Sequence, residues 1–141
     1  MPSKPRNTKA EEDAVRIFLE RLPQYRWLLQ EHLHDNYGEL LLHVLFGEIG
    51  AAVCADVNKL LQESRHTELR MLLENVSAAV ESVSGLENDF VTGALLVSFF
   101  PALESSKKCL ESITEVLGPR GQAIYMESLK IGPPIEEERE V

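Results

Sequence analysis

His32-Leu33-His34-Asp35-Asn36-Tyr37-Gly38-Glu39-Leu40-Leu41-Leu42-His43-Val44-Leu45-Phe46-Gly47-Glu48-Ile49 is the stretch on which the fold turns. It contains three of the four histidines. Its centre, Asp35-Asn36-Tyr37-Gly38, is a tight-turn signal, because Asp, Asn and Gly tolerate turn and left-handed backbone. After the turn, Leu42, Leu45, Phe46, Ile49, Val53, Val57 and Leu60 recur at the three-and-four spacing of one helical face. This predicts a long helix over 39–63. A second stripe, Gly47, Gly50, Ala51, Cys54 and Ala55, is small enough for a neighbouring helix to approach closely. A glycine inside a helix costs about 1 kcal/mol against alanine, which close packing can offset.

The chain before this stretch supplies two shorter helices. Thr8-Lys9-Ala10-Glu11 reads as a capping box. A helix then runs to about Leu22 with Val15, Phe18, Leu19 and Leu22 on one side, and Pro23 ends it. The second spans about Gln24 to His34, with Tyr25, Leu28, Leu29 and Leu33 as its stripe. Trp27, the single tryptophan, falls off that stripe and either covers a neighbouring helix or stands out as an interface anchor.

Downstream the helical pattern persists. Thr67 caps a fourth helix to about Val83, with Leu69, Leu72, Leu73, Val76, Val80 and Val83 inside and Glu74 and Glu81 outside. Ser84-Gly85 stops it. A fifth helix opens at Glu87 or Asn88 and carries Phe90, Val91, Ala94, Leu95, Leu96, Val97, Phe99 and Phe100, apolar all round, which places it centrally. Pro101 ends or kinks it. Ser105 caps a sixth, with Cys109, Leu110, Ile113, Val116 and Leu117 on its face, up to Gly118-Pro119. A weaker seventh covers about Arg120 to Leu129. The reading is an all-α, single-domain bundle of six or seven helices over 8–131, after a flexible arm at 1–7 and before an acidic, disordered tail at 132–141. A short HEAT-like stack of helical hairpins is the alternative, since two successive hairpins have the length of two-helix repeats.

At 141 residues the chain has the length of one domain. Its net charge is −9, and the basic first nine residues cancel the acidic last six, so the body itself is acidic. Such a body repels nucleic acid and anionic membrane and suits a basic protein partner. The most apolar run, Phe90 to Leu103, is shorter than the roughly 20 residues a membrane span needs. The first residues lack the apolar segment of a signal peptide. Cys54 and Cys109 sit inside apolar helical patterns and read as reduced, buried thiols. These features predict a cytoplasmic protein.

Three kinds of site compete. His32, Asp35, Glu39 and His43, with His34 nearby, form a candidate metal set, Glu39 and His43 being one helical turn apart. No second Glu-x-x-His and no HExxH accompanies it, so no metal and no cofactor is expected. Glu39, Glu48 and Asp56 are candidate general acids or bases. Glu48 and Asp56 are about 12 Å apart along a helix, too far for a dyad. No serine elbow, Cys/His pair or phosphate loop is present, so no catalytic residue is named and no enzyme is expected. The third reading is a partner-binding surface at the helix two–three junction, built from Trp27, Glu31, His32, Asp35, Tyr37, Glu39, His43 and Glu48. Acids around aromatic anchors speed encounter with a basic partner and then hold it.

Pro23, Tyr25, Leu28 and His32, then Asp35-x-Tyr37-Gly38-Glu39-Leu40-Leu41-x-His43-Val44-x-Phe46-Gly47, followed by Phe90-Val91-x-x-x-Leu95-x-Val97-Ser98-Phe99 through Leu103, resemble a family of small acidic all-helical bacterial proteins of unknown function. Some members resemble toxin-immunity proteins. The likeness covers about residues 14 to 127. It implies an immunity-type binder that neutralises a cognate toxin by occluding its basic active-site cleft. It brings no catalytic residues with it. A helical adaptor or scaffold is the alternative, and a metal-dependent enzyme at His32, Glu39 and His43 the third.

Overall fold

The structure, a computed structural model, describes residues 8–131. The arm expected over 1–7 and the tail over 132–141 lie outside them. The fold is an all-α bundle, with no strand among the described residues. Its helices are α1 (Thr8–Arg21), α2 (Arg26–Asp35), α3 (Leu42–Gln62), α4 (His66–Ser84), α5 (Asp89–Ala94), α6 (Phe100–Leu103), α7 (Lys107–Thr114) and α8 (Pro119–Ile131). A 3-10 turn at Pro23–Tyr25 leads into α2, and a π-helical turn at Leu95–Phe99 joins α5 to α6. None of the described helices is long and apolar enough to cross a membrane.

The apolar periodicity becomes the core. Leu42, Leu45, Phe46, Ile49, Val53 and Val57 of α3 are buried, and so are Leu69, Leu72, Leu73, Val76, Val80 and Val83 of α4. An aromatic chain joins five elements. Phe18 of α1 lies 5.0 Å from Phe46 of α3 and 5.4 Å, edge-on, from Phe99 of the π turn. Phe99 meets Phe100 of α6, and Phe100 meets Tyr125 of α8. Edge-to-face rings add roughly 0.5–1.5 kcal/mol per pair to their burial. Because α1 and α8 both pack on α4, far from each in sequence, the arrangement closes as a bundle. In an open stack each unit would touch only its neighbours.

Pro101 does not end its helix. It has no N–H to give Val97, and its ring would crowd that carbonyl in a regular helix. The backbone widens one turn earlier instead, where the Phe100 N–H reaches the Leu95 carbonyl, and the helix continues to Leu103. This segment is less enclosed than its composition suggests. Leu95, Phe99, Phe100 and Leu103 are buried, but Leu96 is only partly so and Val97 is exposed.

The small stripe on α3 works at one position. A Cβ on Gly50 would stand 2.9 Å from the Phe99 carbonyl oxygen and 2.9 Å from Ala102 Cβ. At Gly47 the nearest atoms, on Ser98, are at 4.0 Å, and Ala51 and Ala55 face outward. So Gly50, not Gly47, admits the π turn.

Other boundaries move for local reasons. The long helix starts at Leu42, not Glu39, because Asn36 to Leu41 form a loop. The fourth starts at His66, with Arg65 rather than Thr67 in the capping position. Ser106, not Ser105, caps α7 by accepting the Cys109 N–H. Glu81 does not face outward. Its carboxylate accepts the Gly121 N–H at 2.6 Å at the start of α8, where backbone N–H groups lack helical partners.

A candidate partner-binding face at the α2–α3 junction

The junction is fixed from inside by His32. Its ring is buried, and Nε2 accepts the Leu41 N–H at 3.0 Å, just ahead of α3. An Nε2 that accepts carries no proton, so in the neutral ring the proton is on Nδ1. Nδ1 lies 3.6 Å from a Glu48 carboxylate oxygen, within ion-pair reach but beyond hydrogen-bond distance, and is the one buried side-chain polar atom without a hydrogen-bond partner among the described residues. His32 therefore ties the end of α2 to the start of α3.

The loop between them is a compact helix stop. Both the backbone and the side-chain N–H of Asn36 donate to the His32 carbonyl, and the Gly38 N–H donates back to Leu33 at 2.7 Å. That closure needs left-handed backbone, which Tyr37 (φ 56°) and Gly38 (φ 84°) supply. Glycine adopts it freely, whereas Tyr37 does so at a cost of roughly 1–2 kcal/mol. Ser64 and Glu87 share this conformation after α3 and α4. Tyr37 differs from them in carrying an aromatic ring that is 98% exposed.

Around this turn the outer face of α2 exposes Trp27 (51%), Glu31 and Asp35, which lie four residues apart along one stripe. Glu39 is exposed in the loop and Glu48 is 44% exposed on α3. Among the described residues Glu31, Asp35 and Glu39 have no salt-bridge partner. Trp27 does not cover a neighbour completely, and half of it remains open to solvent.

Two of the residues expected on this face are not available to a partner there. His32 is buried, so its part is positioning. His43 is half-buried and turned toward α5 and the π turn, where Nδ1 is 3.3 Å from Ser98 Oγ and Phe90 packs edge-on against the ring at 5.0 Å. Glu39 lies outside α3 and so does not share a helical face with His43. The proposed metal set therefore does not converge, and no group of three or more His, Cys, Asp or Glu side chains is placed to hold a metal among the described residues.

Asp56 belongs to a different region. It accepts the Tyr25 hydroxyl at 2.6 Å on the wall of an open groove of about 350 Å³ that includes Gln24, Lys59, Arg65 and Glu68. Burial, reinforced by the bond to Asp56, pushes the Tyr25 phenol far above its ordinary range. Arg65 is held between Glu63 at 2.9 Å and Glu68 at 2.8 Å. No cysteine, serine or histidine lines this groove.

No protein-family model, curated protein or solved structure matches the chain. The sequence pattern pointed to the exposed acids and rings. It did not separate His32 from them, because a buried histidine and a surface one look alike on a stripe that alternates leucine with polar residues.

Proposed function

We propose that the chain is a binding protein without chemistry of its own, and that Trp27, Glu31, Asp35, Tyr37, Glu39 and Glu48 form the face that docks a basic protein. Tyr37 is the observation that carries the reading. Its ring makes almost no use of the fold, and its backbone is held where glycine would be less strained. An exposed aromatic between unpaired acids suits a partner that brings cations and a pocket. The carboxylates would accelerate encounter and the rings would supply the buried anchor.

The specific form we favour is toxin immunity in a bacterial cytoplasm, with the acids occupying the basic cleft of a cognate toxin. The sequence resemblance supports that form. The test is co-expression with the product of the adjacent gene in a bacterial host. Growth should be inhibited by that product alone and restored by this chain, and the two should co-purify. Simultaneous Glu31→Lys, Asp35→Lys and Glu39→Lys should leave the melting temperature within a few degrees and weaken binding at least tenfold. A harmless neighbour that still binds through this face would make the chain an adaptor. Absence of both binding and protection would discard the proposal.

A further inference from the structure

One residue holds both ends of the loop between α2 and α3. The His32 carbonyl accepts the backbone and side-chain N–H of Asn36, and the His32 ring accepts the Leu41 N–H at 3.0 Å. Leu41 in turn accepts the Leu45 N–H at 3.0 Å, so the residue that the ring holds begins the hydrogen-bond ladder of α3. The two ring nitrogens are in opposite situations. Nε2 is engaged by Leu41, while Nδ1 has no hydrogen-bond partner and stands 3.6 Å from a Glu48 carboxylate oxygen. The His32 side chain is wholly out of solvent and Glu48 is 44% exposed. The other titratable groups nearby are turned elsewhere. Tyr25 of the 3-10 turn bonds Asp56, and His43 of α3 faces Ser98. Glu31, His34 and Asp35 of α2 and Glu39 of the loop are exposed.

We propose that His32 is a proton-operated latch on the loop over 36–41, with Glu48 as the acid that takes the ring when the latch opens. A charged imidazole carries N–H on both nitrogens. A proton on Nε2 would face the Leu41 N–H, donor against donor, so the charged ring and the Leu41 bond exclude each other. At the other nitrogen the charge is welcome, because a cationic ring beside Glu48 gains an ion pair. Protonation therefore moves the ring from the loop to Glu48. It frees the α3 end of the loop and leaves the bonds at Asn36 in place. Opening takes up one proton. The latch is thus intact above the range in which a solvated histidine titrates, about 6.5, and weakens as pH falls through it, at most about tenfold per pH unit. The freed loop carries Tyr37 and Glu39, and the Glu48 charge is neutralised in the same step. That acid weakens docking rests on the function proposed above; the latch itself does not.

The test uses the full chain alone, labelled with nitrogen-15, between pH 8 and 5.5. At pH 8 the His32 ring should show a bare Nε2 and a protonated Nδ1. The protection of the Leu41 amide, corrected for intrinsic exchange, should be constant down to about pH 7 and fall severalfold to tenfold by pH 5.5, while Val53 in the middle of α3 stays protected. The Tyr37 and Gly38 resonances should move with the same midpoint. Glu48→Gln should shift that midpoint to lower pH. His32→Gln offers Leu41 an acceptor that takes no proton in this range, and its Leu41 protection should be flat. Circular dichroism checks that this variant folds. The wild type decides in either case, because loss of Leu41 protection must share its midpoint with titration of the His32 ring. Separate midpoints, a Leu41 amide that stays protected while the ring is charged, or an Nε2 protonated at pH 8 would overturn the proposal. So would a pH-dependent Leu41 in a folded His32→Gln, or a midpoint unmoved by Glu48→Gln. Failure to find a partner would leave every one of these measurements standing.

Discussion

Helix α3 meets the π turn and α2 in opposite ways. Against the π turn the contact is dry and close. Gly50 lets the Phe99 carbonyl approach, and Phe46, Phe18 and Phe99 fill the space around it. Toward α2 the start of α3 is held by one histidine hydrogen bond, and the loop places an aromatic ring in solvent. The first contact is explained by stability. The second leaves Tyr37, Glu31, Asp35 and Glu39 exposed, with no salt bridge to the three acids among the described residues.

If that contrast is right, damage on the dry side should be severe. Phe99→Ala removes a fully buried ring that touches two others and should cost about 3–5 kcal/mol by urea denaturation. A loss below about 1 kcal/mol would mean that the π turn is not central. Gly50→Ala and Gly47→Ala sharpen the point, since both add one methyl to the same helix. At Gly50 the methyl meets backbone, and overpacking of about 1–3 kcal/mol outweighs the better helix propensity. At Gly47 it meets only ordinary contacts, and the propensity gain of up to about 1 kcal/mol should win. Equal signs at the two positions would contradict the assignment of the close approach to Gly50.

On the α2 side, His32→Ala leaves the Leu41 N–H without its acceptor and opens a small cavity. The expected loss is about 1–3 kcal/mol, and hydrogen exchange at Leu41 should quicken far more than at amides in the middle of α3. Unchanged protection at Leu41 would show that its N–H finds another acceptor and that the junction does not depend on the ring.

The sequence disclosed helix positions better than helix partners. Apolar spacing alone marked the buried faces of α3 and α4, because burial of one stripe is what a helix needs to be stable in water. It could not choose between Gly47 and Gly50, since both lie on one stripe and only the crossing point of the π turn distinguishes them. It missed the π turn, which arises from a conflict between Pro101 and continued burial of Leu103 rather than from any propensity. It placed Glu81 outside because a carboxylate on the margin of an apolar face normally seeks water. Here Gly118 and Gly121 clear room for it at the start of α8, and a Cβ on Gly118 would lie 2.7 Å from its carboxyl carbon. The acids and rings of the α2–α3 junction were visible as residue types, but the burial of His32 and the turning of His43 toward Ser98 follow from tertiary packing that no local pattern carries.

The smallest predicted change bears most directly on function. Tyr37→Gly relieves left-handed strain of roughly 1–2 kcal/mol in the folded state. Glycine also adds freedom to the unfolded chain, costing roughly 0.5–1 kcal/mol. Loss of the ring itself costs the fold little, because the ring is almost wholly in water. The net expectation is a gain of up to about 1.5 kcal/mol, read as a small rise in the urea midpoint with an unchanged slope. A residue retained for stability would show the reverse. The same variant, titrated against the partner identified by co-expression, should bind more weakly although it is the more stable protein. Opposite movements of stability and affinity in one substitution would separate the binding face from the dry contact at Gly50, where a substitution should lower stability and alter affinity only as far as it unfolds the chain. A Tyr37→Gly protein that is destabilised by more than about 1 kcal/mol would show that the ring serves the fold, and the case for a docking face at this turn would lose its main support.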